Sequence, residues 1–454
     1  MSPASSNSIK ILIVGDSPCI GSGMAEVLRL LFGRLIERYP GKYIINQIAL
    51  QHIYAIAAPK WSLYPTKTIE GNAGLKFDEN DYWGNLSILE RVDELSPDIL
   101  FIFNDPQRVC IPIPKLKRRV KVVVYTNYDG VPIYDDSTLR EADAVYTMSK
   151  FALNVFRKNH SMFSSANSGF VYAPCDTGRF SKIEECMRGV AKQNHLPGGI
   201  AKDSFVIGWV GRNCWRKQIW VIYKIARYIR YGGYWTCNNC GKVTVREWDA
   251  MAGRYMSRRQ GVSPKCWHCD SDSVVIARPL KRVVFWIHMP RDDRTATWPT
   301  QLLEREYALI EGIDIIYTSD YRTTSGLPPE DMPILYQVFD ILLYLSGGEG
   351  FGIPVMEAMA CAIPVVYTDY SSHAELVKSG NGGISVRGTL QPQAGDCIQR
   401  MVVDVEDAIK SILYCINNPQ VRKQLGDSGA RFASKYSCDR QAKCWNSIFE
   451  KLIR

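Results

Sequence analysis

Glu349 and Glu357 stand with seven residues between them in the run SGGEGFGIPVMEAMA, which also carries Gly347, Gly348, Gly350 and Gly352. Just upstream, residues 341–345 are an unbroken apolar run bounded by Asp340 and Ser346, the pattern of a parallel strand buried on both faces. Downstream, Pro354 fits the first position of a helix, where a missing N–H costs nothing. Pro364 then stops that helix before the next apolar run, 365–367. The order is strand, glycine loop, helix, strand. A helix N-terminus offers unpaired N–H groups and a partial positive charge, and glycines let a bulky anion approach that backbone. The stretch therefore reads as a phosphate site. Carboxylates beside it repel phosphate, so Glu349 and Glu357 are suited to accepting hydrogen bonds from sugar hydroxyls. The competing reading is a tight strand-to-helix turn in which Glu357 is simply a favourable charge in the first helical turn.

A second constellation is Cys237-x-x-Cys240 and Cys266-x-x-Cys269, with twenty-five residues between the pairs. Four thiolates at that spacing predict a tetrahedral zinc, and four cysteines leave no open coordination position, so the site reads as structural. The Cys-x-x-Cys-Gly turn, with Trp235 two residues before it, resembles a zinc ribbon; His268, inside the second knuckle, is the poorer ligand. Around the cysteines lie Arg246, Arg254, Arg258, Arg259 and Lys265 with Trp248 and Tyr255. Basic residues interleaved with aromatics suit phosphate contact and base stacking. They suit a solvated, zinc-stapled insertion equally well.

The glycine stretch resembles the signature of retaining glycosyltransferases of the GT-B fold, glycosyltransferase family 4 in particular. There two glutamates bracket a Gly-Phe-Gly loop, here Glu349, Gly350-Phe351-Gly352 and Glu357. The resemblance implies that Glu349 contacts the transferred sugar, that Glu357 binds the nucleotide ribose, and that amides around Gly352 and Ile353 approach the diphosphate. It extends to the strand 205–210, which ends in Gly211-Arg212-Asn213 with Lys217 after it. The family has an Arg and a Lys at these positions, both reaching the donor diphosphate; Arg212 and Lys217 match, and Arg216 is a neighbour able to substitute. A departing diphosphate needs its developing charge met by fixed cations, so no catalytic divalent metal is expected.

Further matches are weaker. Strand 9–14, the loop with Gly21 and Gly23, and a helical pattern over 24–38 form a second strand–loop–helix unit without the G-x-G-x-x-G fingerprint. In the resembling family this loop faces the donor phosphates and the acceptor, although a plain βα turn reads as well. Strand 120–125 leads into Tyr128-Asp129-Gly130, where the family often has a His-Asp pair. The His is absent, and Asp129 is left as a candidate acceptor-side group or an ordinary turn residue.

These residues need a scaffold. With 454 residues, 46% hydrophobic and 22% charged, the chain is a folded globular protein too long for one ordinary domain. Short apolar runs alternating with helical patterns predict an α/β fold with ligands at the carboxyl ends of its strands. The resemblance implies a GT-B architecture of two facing Rossmann-like domains. The expected divisions are an acceptor-side domain over 1–181, a linker over 182–203, and a nucleotide-sugar donor domain over 204–429. A zinc-ribbon insertion is expected over 231–278, and a C-terminal helix, about 430–454, packing back on the first domain.

The remaining features bound location and partners. No run of about 18 apolar residues predicts a transmembrane helix. The N-terminal MSPASSNSIK lacks the pattern of a signal peptide, and fourteen cysteines, mostly scattered singly, fit a reducing compartment. A cytoplasmic location is expected. The net charge of +9 suits an anionic donor, a nucleic acid or an anionic membrane surface alike, so peripheral membrane contact stays open. The expected function is retaining transfer of a sugar from a nucleotide-sugar to an acceptor hydroxyl. The acceptor is a nucleic acid or other large anion, or else a glycan, a lipid-linked or a small-metabolite acceptor with the ribbon purely structural. A phosphorylase or epimerase on the same fold, and a non-catalytic zinc-bearing binding module, are the other classes.

Overall fold

The computed structural model describes residues 8–51, 59–71, 74–112, 116, 119–132, 136–231, 234–241, 243–245, 248–249, 254–255, 266, 269–275, 282–289, 296–318, 327–328, 330–393, 395 and 397–454.

The strand Ile9–Asp16 is buried from its third residue onward, as befits a central strand of a sheet covered on both faces. It pairs in parallel with Tyr43–Leu50 on one side and Ile99–Phe103 on the other. The full sheet runs Ser62–Pro65, Tyr43–Leu50, Ile9–Asp16, Ile99–Phe103, Lys121–Thr126, Ala144–Thr147, Ser168–Phe170. The chain builds outward on one side of Ile9–Asp16 and then on the other, so the order reverses there. At such a reversal the connections leave in opposite directions and open a crevice at the strand carboxyl ends.

A second parallel sheet repeats the logic: Ile315–Tyr317, Val283–His288, Phe205–Val210, Ile341–Tyr344, Val365–Thr368, Gly383–Val386. Its reversal lies between Phe205–Val210 and Ile341–Tyr344, which pair through Ile207 with Ile341 and Gly208 with Leu342. The loops that follow these two strands carry Lys217 and Glu349. Two Rossmann-like α/β domains are thus present, as the sequence predicts.

The domains share one continuous hydrophobic core. Ser149 Oγ lies 2.7 Å from Ser372 Oγ, and Glu375 accepts the Phe151 N–H at 2.7 Å, so two helix starts from different domains meet. The helix Cys438–Ile453 lies against the helix Gly23–Arg38. The stretch expected as a linker holds the helix Glu185–His195, which Lys192 anchors to Asp340 at 2.6 Å. A short helix spans Thr300–Glu306, and an antiparallel hairpin, Gly388–Pro392 with Gln399–Val403, precedes the last helices. Among the described residues, no helix is long and apolar enough to cross a membrane.

Candidate active site

Glu349 is only 5% exposed, and its Oε1 sits 2.6 Å from both Arg216 Nη1 and Lys217 Nζ. Burial alone would raise its pKa, but the two cations outweigh burial and hold the carboxyl well below the usual range. Lys217 in turn is pushed down by burial, with Glu349 opposing. Its Nζ also donates to Tyr344 Oη at 2.6 Å and lies 4.5 Å from the centre of that ring. The local fold explains the convergence. Trp215–Lys217 form a 3-10 turn, and the Gln218 amide after it donates to the Leu345 and Met401 carbonyls. That bond ties the basic loop to the end of the neighbouring strand. Arg216 also donates to the Gly348 carbonyl at 2.9 Å.

The family resemblance points to Arg212 and Lys217, with Arg216 as a neighbour able to substitute. The structure brings Lys217 and its neighbour Arg216 onto Glu349, whereas Arg212 is exposed earlier in the loop.

The glycines are needed where backbone and side chains close in. Gly352 has φ of 103°, and a Cβ there would come within 2.9 Å of His373 Cβ. It caps the helix Ile353–Ala360, with Pro354 in the first turn. A Cβ on Gly350 would meet Asn127, 2.8 Å from its Cβ, and one on Gly348 would collide with the Asp129 carbonyl. The first domain's 127–131 segment therefore lies directly on the glycine loop. Phe351 is buried with its ring 5.8 Å from that of Tyr172. Gly21 and Gly23 are exposed, and a Cβ on Gly23 would approach Ile353 Cδ1 to 2.9 Å. The N-terminal loop thus faces the start of that helix. His373 is fully buried behind the loop, and burial pushes its pKa down to about 4.

Glu357 faces a small pocket between the domains, lined among others by Glu26, Asp176, Phe180 and Ile353. Tyr336 Oη donates to its Oε2 at 2.6 Å. Burial pushes its pKa up to about 7, with the Tyr336 bond and Arg179 pulling the other way. A raised carboxyl binds its proton more tightly folded than unfolded, so its contribution to stability falls as pH rises from about 4.5 to 7. His373 and His288, both pushed down to about 4, give a slope of opposite sign below about 6.5. The clean measurement is therefore a difference. The stability of Glu357→Gln relative to wild type should increase by on the order of 1–3 kcal/mol between pH 4.5 and 7, then level off. Denaturant melts at four pH values check this, and parallel wild-type and variant curves would remove the assigned cause.

On the first domain, Asp129 Oδ1 lies 2.9 Å from Arg400 Nη1 and its Oδ2 3.6 Å from Arg216 Nε. Tyr128 turns inward instead: it is 3% exposed and donates to Asp136 Oδ2 at 2.8 Å, an oxygen that also meets His160 Nε2 at 2.7 Å. Sequence reasoning missed Arg400 and Asp16. Asp16 ends its strand at the order reversal, accepts from Ser22 Oγ at 2.6 Å, and is raised by burial; its position after the first apolar run was the available signal.

The four cysteines come together. Cys237 Sγ is 3.6 Å from Cys269 Sγ, Cys240 Sγ is 3.5 Å from Cys266 Sγ, and all four lie within 4.8 Å of one another. Disulfide sulfurs would be about 2.05 Å apart, while thiolates around one zinc sit roughly 3.8 Å apart. Each knuckle turns through a residue of positive φ, Gly241 and Asp270. The strands Tyr234–Cys237, Val243–Val245 and Val274–Val275 form a small antiparallel sheet beneath them. Of the basic and aromatic residues expected to contact an acceptor, Arg246, Arg258, Arg259 and Lys265 lie outside the described residues, as does His268. The side chains of Trp235, Trp248, Arg254 and Tyr255 do too.

Residues 320–431 match the family described as Glycosyl transferases group 1. The chain is 27% identical over 150 residues to a D-inositol 3-phosphate glycosyltransferase of Corynebacterium jeikeium, covering 33% of this chain and 32% of that protein. It is 28% identical over 124 residues to a lipopolysaccharide core biosynthesis mannosyltransferase of Rhizobium meliloti, covering 27% and 32% respectively. The matched stretches thus span about a third of these relatives. Solved structures align over almost the whole chain. Sucrose-phosphate synthase from Thermosynechococcus elongatus superposes with a TM-score of 0.66 at 13% identity, over 98% of this chain and 99% of its own. WaaG, a glycosyltransferase involved in lipopolysaccharide biosynthesis, gives 0.59 at 12%, over 97% and 99%. The Anabaena protein HepE, in complex with UDP-glucose, gives 0.61 at 13%, also over 97% and 99%.

The fold is GT-B. In GT-B terms Phe205–Val210 and Ile341–Tyr344 are the central pair of the second domain, and the cluster of Glu349, Arg216 and Lys217 lies at its carboxyl edge, facing the first domain.

Proposed function

We propose that this chain is a glycosyltransferase that moves a sugar, with retention, from a nucleotide-sugar to an acceptor hydroxyl. The observation that carries the reading is the pairing of buried Glu349 with Arg216 and Lys217 beside the amino end of the helix Ile353–Ala360. A carboxylate meets two cations where a diphosphate would also find helix N–H groups. An arriving diphosphate competes for both cations and releases the carboxylate to accept hydrogen bonds from the sugar. In this reading Lys217, Arg216 and the amides around Gly352 and Ile353 meet the charge that develops as the diphosphate departs. Arg212 adds a cation only if the loop turns it inward. Glu357, in its pocket, takes the ribose, and Asp129 lies on the acceptor side. The departing diphosphate takes the acceptor's proton, so no protein nucleophile and no catalytic metal is required.

The UDP-glucose bound to the Anabaena structure makes UDP-sugars the first donors to try. The names of the curated relatives, an inositol phosphate enzyme and a lipopolysaccharide enzyme, favour a glycan or small polyol acceptor. A nucleic-acid acceptor would instead reveal itself as transfer to RNA or DNA that falls steeply with added salt. The test is a thermal-shift panel of nucleotide-sugars followed by transfer assays. A donor at a hundredfold its dissociation constant stabilises by about 2.7 kcal/mol, a shift of roughly 5–11 °C for domains of about 150–250 residues. If no nucleotide-sugar raises the melting temperature and none is consumed, the reading fails.

We further propose that Cys237, Cys240, Cys266 and Cys269 hold a structural zinc, which would staple the two knuckles together. Metal analysis should find one zinc per chain. Stripping it should lower the stability of the insertion while magnesium and manganese leave turnover unchanged. Activity that depends on a loosely held magnesium or manganese ion would overturn the metal-free chemistry above.

A further inference from the structure

The hairpin Gly388–Pro392 with Gln399–Val403 has no part in the chemistry just described, yet its second strand bridges the domains at the reaction centre. On one side it is tied to the donor loops. The Met401 N–H donates to the Gly347 carbonyl at 2.9 Å, and the Met401 carbonyl accepts from the Gln218 amide at 2.7 Å. On the other side the Gln399 N–H donates to the Val131 carbonyl of the first domain at 2.7 Å. Between them Arg400 is 6% exposed. Its Nη1 lies 2.9 Å from both the carbonyl oxygen and Oδ1 of Asp129, and its Nε points to Gln393 Oε1 at 3.3 Å.

We propose that Arg400 is a positioning residue that grips Asp129, holds the 127–131 segment down on the glycine loop, and thereby keeps Arg216 committed to Glu349. The proposal rests on the function above only in giving Asp129 and Glu349 their roles. Two independent features support it. The first is charge. Arg216, Lys217 and Arg400 face Asp129 and Glu349, three cations against two carboxylates. Arg216 touches both carboxylates, at 3.6 Å and 2.6 Å. With Arg400 neutralising Asp129, Arg216 stays on Glu349; without it, Arg216 is drawn between the two. The second is shape. A Cβ on Gly130 would come 2.7 Å from Arg400 Nη1 and 2.8 Å from the Gln399 carbonyl oxygen; one on Gly348 would come 3.1 Å from Arg400 Nη1, and one on Gly347 3.1 Å from Arg400 Cβ. Three glycines from two domains make room for one buried arginine.

The experiment uses the full chain with Arg400→Ala, Arg400→Lys and Gly130→Ala, and Leu390→Ser as a control at an exposed hairpin position. Gly130→Ala wedges the hairpin from the segment without altering any charge, and decides the matter if Arg400→Ala does not fold. Hydrogen exchange over 127–131 should rise about tenfold or more in Arg400→Ala and Gly130→Ala, as expected for a segment released from a local contact. With a donor that the wild type turns over, kcat should fall about ten- to a hundredfold while the donor KM stays within about threefold. Arg400→Lys should recover part of the loss, and Leu390→Ser should match wild type in both readouts. Wild-type exchange over 127–131 in Arg400→Ala and Gly130→Ala would overturn the proposal. So would raised exchange with unchanged kcat, because the contact would then be structural only. Wild-type protein that turns over no nucleotide-sugar would sink the proposed function, and the exchange result would still decide whether Arg400 holds the segment.

Discussion

Lys217→Ala is expected to cut sugar transfer by about a hundredfold or more, with the loss in kcat rather than in donor KM. The side chain is nearly buried, its ammonium rests on the Tyr344 ring, and it shares Glu349 Oε1 with Arg216. In the ground state, removing it leaves Glu349 with a partner, because Arg216 remains 2.6 Å away. The fold should therefore survive, and the Glu349 carboxylate should stay ionised. In the transition state nothing replaces it. In the proposed reaction the departing diphosphate gains charge beside these cations, and losing one fixed contact of that kind costs roughly 3 kcal/mol. Arginine should not rescue it well, since its larger planar fork does not fit the buried space that a compact ammonium occupies. The companion variants sharpen the test. Arg216→Ala should lower kcat strongly, whereas Arg212→Ala should do so less, because Arg212 lies exposed and Arg216 on Glu349. Glu349→Gln should lower turnover and Glu357→Gln should chiefly weaken donor binding. Initial rates at saturating donor decide between these outcomes. A Lys217→Ala enzyme with the wild-type kcat would remove the site from the reaction, and Arg212→Ala as damaging as Lys217→Ala would restore the assignment implied by the family resemblance.

That last contrast marks where the sequence stops being legible. The strands at the reversal of the second sheet could be read because both are unbroken apolar runs, buried on both faces. The loops after them were fixed by glycines and prolines, whose backbone requirements are local. The cysteine pairs were legible for the same reason, since ligand spacing is a short-range property. Which arginine turns inward was not. Arg212 and Arg216 both precede Lys217, and a single 3-10 turn at Trp215–Lys217 decides which one reaches the carboxylate. Arg400 was further out of reach. The first strand of its hairpin is exposed at all five residues, so it has no apolar period to announce it. Its partner Asp129 lies 271 residues away in the chain. Contacts between domains are made of such pairs, which is why the glycine loop and its flanking strands were readable and the clasp over them was not.

Trp445→Ala should cost about 3–5 kcal/mol of stability, more than any surface change on the same helix. Trp445 is fully buried on the helix Cys438–Ile453. Its ring centre lies 5.0 Å from those of Phe101 and Tyr125, 5.5 Å from that of Tyr146 and 5.4 Å from that of Phe449. The first three rings belong to strands of the first sheet, so truncation opens a cavity between the helix and the sheet it covers. The same helix also carries Asp439, paired with Arg34 at 2.7 Å and Arg38 at 3.0 Å. Those groups are about 40% exposed on both sides of the first pair, and exposed pairs contribute only about 0–1 kcal/mol. Arg34→Ala should therefore be nearly silent. Trp445→Phe separates packing from polarity. Among the described residues the buried indole N–H has no acceptor, and an unmet buried donor costs about 1–3 kcal/mol. Phenylalanine forfeits some contact but removes that donor, so the two changes offset and the variant should melt within about 1 kcal/mol of wild type. Urea unfolding of the three variants, compared at equal slope, provides the measurement. A Trp445→Ala protein as stable as wild type would mean that the helix is held by its surface ion pairs and not by its aromatic face. A Trp445→Phe protein as unstable as Trp445→Ala would mean that the indole nitrogen finds a partner after all.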